Sequence, residues 1–106
     1  SIEQSNVSPG NQLKHYSPIK PMRINVDFVK KNETLLNFGI NELKSEIKSL
    51  NLSIEENLSD ASYNFYNYLN ILDNIKCSGI AVAPIPDQGL GKTINDRLKR
   101  ASHKDE

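Results

Sequence analysis

Cysteine occurs once in this chain, at Cys77, so no internal disulfide can staple the fold. Tryptophan is absent, and no run of about 20 apolar residues exists, so no segment suits a membrane-spanning helix. No apolar stretch near the start resembles the core of a signal peptide. A chain opening at Ser1 is expected to be processed or to be a piece of something longer. Net charge is missing too. The 13 Lys+Arg balance 13 Asp+Glu, which gives no general attraction to nucleic acid or anionic lipid. Cys77 has no His or Cys at ligand spacing, and His15 and His103 lie in the tails, so no metal or other cofactor is expected. A length of 106 residues allows one domain at most.

Proline is missing from residues 22–83, although Pro9, Pro18 and Pro21 precede that window and Pro84 and Pro86 follow it. A long helix requires such a window, because an interior proline loses a hydrogen bond and clashes with the preceding turn. The charge divides along similar lines. Residues 1–31 carry five cations against two anions, residues 32–77 seven anions against three cations, and residues 78–106 five cations against four anions. These shifts predict a leader at 1–21, an extended docking segment at 22–31, a helix within 32–78, an extended Pro/Gly segment at 79–91, a short basic amphipathic helix at 92–102 and a tail at 103–106.

Within the proline-free window the apolar residues follow a heptad. Leu36, Ile40, Leu43, Ile47, Leu50 and Ile54 are spaced 4, 3, 4, 3, 4, and Leu58, Ala61, Phe65, Tyr68, Leu72 and Ile75 are spaced 3, 4, 3, 4, 3. One four-residue stutter near 54–58 joins the blocks. The fold class this predicts is all-α: a long coiled-coil-type helix over about 33–77 with extended or disordered flanks and a short C-terminal helix. Ile at a and Leu at d favour two parallel strands in the first block. Asn32 suits an N-cap, and Gly79 suits the residue past the C-terminus. A competing pattern is Ser53-Ile54-Glu55-Glu56, a capping box. A break there gives two helices, 33–50 and 54–77, folded as a hairpin.

Gly39 and the many Asn and Ser residues lower intrinsic helix propensity. The helix should therefore depend on burying the twelve seam residues against other helical subunits, a hetero-oligomer being favoured over a homodimer. No membrane and no direct nucleic acid enters this expectation. Ser17-Pro18-Ile19-Lys20 resembles the S-P-x-K consensus of proline-directed kinases, and Lys99-Arg100-Ala101-Ser102 resembles a basophilic kinase site, so Ser17 and Ser102 are candidate phosphorylation sites. Gly89-Leu90-Gly91-Lys92-Thr93 matches only the end of a phosphate-binding P-loop, because Pro86 stands where the pattern needs Gly.

No constellation of catalytic residues emerges. The expectation is a non-enzymatic scaffold subunit of an intracellular, eukaryotic and in part nuclear assembly of the kinetochore, spindle or tethering kind. The alternative is a small regulatory inhibitor, adaptor or chaperone built on the hairpin.

Overall fold

The computed structural model describes residues 18–102. Their order is β1 (Met22–Arg23), β2 (Glu33–Asn37), β3 (Ser49–Asn51), α1 (Leu58–Asp73), β4 (Gly79–Val82) and α2 (Leu90–Ser102). The strands form one sheet in the order β1-β4-β2-β3, with every pairing parallel.

The architecture is α/β, and the all-α coiled coil is overturned. The seam divides among unlike elements. Leu36 is buried in β2 and Leu50 is half-buried in β3, while Ile40, Ile47 and Ile54 are exposed in loops. Only the second block is helical, and its face turns inward. Ala61, Phe65, Leu69 and Leu72 of α1 are buried against the sheet, with Leu58, Tyr68 and Ile75 packed around them.

Local chemistry explains why the first block is not a helix. All five residues of β2 are buried, as a parallel strand covered on both faces demands. Beyond it, Asn and Ser side chains satisfy backbone groups that a helix would have paired internally. The Asn37 carboxamide oxygen accepts from the Phe38 N–H at 2.8 Å and from the Asn41 side chain at 2.9 Å. The Ser45 hydroxyl accepts from the Ile47 N–H at 2.9 Å and donates to the Glu33 carbonyl. Gly39, at φ +76°, turns the chain out of β2 in the left-handed region. Helix α1 begins later than the capping-box pattern suggests. Its N-cap is Asn57, whose side chain accepts from the Asp60 N–H at 2.9 Å, and Ser53 accepts from the Asn57 N–H one turn earlier.

The two faces of the sheet are covered differently. Leu36, Ile80, Val82 and Met22 face α1 and α2, and Ile94 and Leu98 of α2 complete that core. On the other face, Leu35 and Ala81 meet Val26, Val29 and Leu43, which belong to the connections 24–32 and 38–48. Handedness dictates this split. The chain steps one way across the sheet from β1 to β2 to β3 and back from β3 to β4, so right-handed crossovers must lie on opposite faces. The returning crossover is helix α1, whereas the two outgoing ones contain no helix.

The chain preceding β1 is fastened to the far end of α1. Asp73, only 5% exposed, accepts from the Ile19 and Lys20 backbone N–H groups at 3.0 Å each, and the Lys20 ammonium donates to the Asp73 carbonyl. Pro18 is fully buried beside it.

Stability separates this fold from a heptad seam. Leu36→Ala should cost about 2–5 kcal/mol, as for other fully buried leucines. Ile40→Ala, at a side chain 83% exposed, should stay within about 0.5 kcal/mol. Urea denaturation of the two variants measures both; a coiled-coil seam would give comparable losses.

Candidate functional site

The face without helices holds a concavity among the described residues. Its walls are Val26–Val29 from the first crossover and Asn41–Lys44 from the second, with Pro84 just past β4 between them, and its volume is about 500 Å³. These segments follow β1, β2 and β4, so the groove lies toward the carboxyl end of the sheet. The flanking strands send their connections over this face, whereas β4 continues to α2 on the other. Open parallel sheets bind their ligands at such a reversal.

An ion pair braces the first wall. Arg23 of β1 donates through Nε and Nη2 to the two carboxylate oxygens of Glu33 at the start of β2, both at 2.8 Å. The pair reaches across β4 on the face of Ala81, a small side chain, while Gly79 makes room for Pro21, whose carbonyl oxygen would stand 2.9 Å from a Cβ there. Arg23 Nη2 also donates to the Phe28 carbonyl at 3.0 Å, its guanidinium lies 4.8 Å from the Phe28 ring centroid, and the Lys30 N–H donates to Glu33 at 2.8 Å. One buried carboxylate thus fixes the course of residues 28–30. The Arg23 hydrogen bonds hold the Glu33 carboxyl below the usual glutamate range, against the opposing effect of burial. Glu33 in turn raises the Arg23 guanidinium.

The second wall is set by Asn41, whose amide nitrogen donates to Asn37 Oδ1 and to the Phe38 carbonyl, and whose oxygen accepts from the Leu43 N–H. What faces the groove is therefore mostly apolar, with the charges of Asp27, Glu42 and Lys44 around it. The Arg23–Glu33 brace was not legible in advance. The ten-residue separation carries no periodic signal, and only the parallel register brings the pair together.

Other singled-out residues have structural duties. Gly91 allows α2 to start against its own loop: a Cβ there would stand 1.8 Å from the Pro86 carbonyl oxygen. The P-loop-like stretch is thus a packing turn, and Lys92 lies 3.8 Å from Asp87 on the surface. Cys77 is half-buried, with its sulfur 3.9 Å from the Thr34 hydroxyl. The Ser102 hydroxyl donates to the Lys99 carbonyl at 3.0 Å. Ser17 lies outside the described residues; of its kinase consensus, Lys20 is held by Asp73 and Pro18 is buried. No helix among the described residues is long and apolar enough to cross a membrane.

The chain matches the family model described as threonylcarbamoyl-AMP synthase, C-terminal domain, over residues 2–103. That match spans nearly the whole chain, and the chain belongs to this family. No curated protein and no solved structure matches it significantly. Membership overturns the expected scaffold subunit, the alternative regulatory module and the non-enzyme assignment alike, because the family is one of enzymes.

Acid should test the brace. A carboxyl whose folded-state pKa is depressed adds stability above its unfolded pKa and loses it as pH falls through the folded value. Glu33→Gln should cost about 1–3 kcal/mol at neutral pH, and the gap to the parent chain should close as pH falls below the ordinary glutamate range. Denaturation series at neutral and acidic pH measure this; a gap independent of pH would remove the ion pair from the account.

Proposed function

We propose that the chain serves as the C-terminal domain of a threonylcarbamoyl-AMP synthase in tRNA modification, and that it contributes binding rather than reacting groups. The observation that supports this most is the groove at the reversal point of the sheet. A parallel sheet is ordinarily covered on both faces, yet here one face has only two short crossovers, and Phe28 stands 56% exposed beside the groove. The carboxylates of Asp27 and Glu42 disfavour a nucleotide phosphate there, whereas Val26, Phe28, Leu43 and Pro84 suit an apolar protein surface. The groove is then the face presented to the synthase portion of the enzyme, and an intracellular setting follows from work on tRNA.

The test uses the complete synthase with Phe28→Asp and Pro84→Asp together. Both side chains are exposed, and Phe28 also covers the Arg23 guanidinium, so the stability of the domain should fall by no more than about 1 kcal/mol. Formation of threonylcarbamoyl-AMP should fall by roughly tenfold or more, the equivalent of losing about 1.4 kcal/mol of productive interaction. Unchanged synthesis in this variant would take the groove out of the account. Unchanged synthesis after deletion of the whole domain would defeat the broader reading.

A further inference from the structure

Every strand is introduced by the same pair of residue types, a branched aliphatic followed by lysine. Ile19-Lys20 precedes β1, Val29-Lys30 (with Lys31) precedes β2, Ile47-Lys48 precedes β3 and Ile75-Lys76 precedes β4. Because all pairings are parallel, the four lead-ins stand together at the amino edge of the sheet. Backbone bonds tie them to that edge. The Lys48 carbonyl accepts from the Leu35 N–H at 2.9 Å, the Lys30 carbonyl from Glu33 at 3.2 Å, Asn32 from Ser78 at 2.8 Å and Pro21 from Ile80 at 2.9 Å.

The sheet order arranges these cations as a row. Neighbouring strands lie about 4.8 Å apart, so the four strands that Lys20, Lys76, Lys30 with Lys31, and Lys48 introduce span roughly 15 Å. Lys20 is already committed to Asp73, but Lys30, Lys31, Lys48 and Lys76 are exposed and enter no ion pair among the described residues. The nearby acids are largely occupied. Glu33 is paired with Arg23, and Asp73 holds the Ile19 and Lys20 N–H groups, leaving Glu46 as the exposed carboxylate of the lead-ins. The end where the connections leave the strands carries more acid than base, with Asp27, Glu42, Glu55, Glu56 and Asp87 against Lys44 and Lys92. A chain of zero net charge is therefore polarised along its strands.

We propose that the amino edge of the sheet is a contact surface for the phosphate backbone of an RNA. Lysine is a compact point charge that meets phosphate without a fixed orientation. The lead-ins pair it with aliphatics rather than with the aromatic rings that stack bases, so contact is with the backbone and tolerates sequence. A lipid surface fits less well. Val29 and Ile75 of the two inner strands pack inward, so the exposed Ile19 and Ile47 stand apart at the outer strands and form no continuous apolar face to insert. The choice of RNA among polyanions rests on the reading of this chain as part of a tRNA-modifying enzyme.

The experiment is a titration of the full chain into fluorescently labelled, unmodified tRNA transcript at 50 and 200 mM salt. Four phosphate contacts should weaken binding roughly 50–150-fold between those conditions. The variant carrying Lys31→Glu, Lys48→Glu and Lys76→Glu should lose binding, with its circular dichroism unchanged. Lys92→Glu, at the opposite end of the sheet, should bind as the parent does. Single neutralisations should each lower the salt slope by about 0.7–0.9. Absence of salt-sensitive binding, equal loss in Lys92→Glu, or stronger binding to phosphatidylserine vesicles than to the transcript would each overturn the proposal. If RNA binding fails while synthesis still depends on the groove, the inference falls alone and the functional reading stands.

Discussion

The placement of β4 between β1 and β2 is the constraint on which the rest depends. It is built from residues 79–82, yet it pairs with residues on both sides that come some 45 to 60 positions earlier. Until it docks, β1 has no partner in the sheet, and the ion pair that braces the groove has no strand to cross. Its composition meets demands of opposite kind on its two faces. Ile80 and Val82 are large and fill the core beneath the helices, while Ala81 is small on the face where Arg23 reaches Glu33 and Gly79 leaves room for the Pro21 carbonyl. Parallel pairing over such sequence separations must overcome loop-closure entropy before contacts reward it, so the sheet is expected to assemble late and cooperatively.

The periodicity that suggested a coiled coil had two distinct origins. Over 58–72 it was a real helical stripe, but one helix packed on a sheet needs the same apolar face as one helix packed on another. Spacing alone does not say what lies opposite. Leu69, off the heptad, is among the most buried residues of α1, whereas Tyr68, on it, is only partly covered. Over 36–54 the period came from buried strand positions, Leu36 and Leu50, interleaved with exposed loop residues, Ile40, Ile47 and Ile54. The contrary signals were present in the residues themselves. Gly39, Asn37, Asn41 and Ser45 each have a turn role that competes with a helix, and the β-branched Thr34 with Leu35, Leu36 and Phe38 makes a stretch of strand length. The short basic helix near the C-terminus was legible because Ile94, Leu98 and Ala101 lie on one face, and two of these are buried. The groove was not legible. Its walls belong to crossovers that have no internal periodicity and acquire their shape only from the sheet.

Charge followed the same logic at larger scale. Divided by sequence, the cations and anions formed three blocks whose sum was zero. Divided by position in the fold, they separate by strand direction, because a parallel sheet sends every beginning to one edge and every ending to the other. A repeated preference before each strand is thus multiplied by the number of strands into a surface feature. The net charge, from which an indifference to polyanions had been inferred, averages over that geometry. A field at a surface depends on local density within about a Debye length, roughly 8–10 Å at physiological salt, and the strands that the lysines introduce are spaced about 4.8 Å apart. The groove and the basic edge therefore need not serve one partner. They differ in chemistry, adjoin only where the first crossover runs from Val29 to Lys30, and can be altered by exposed substitutions that leave the core untouched.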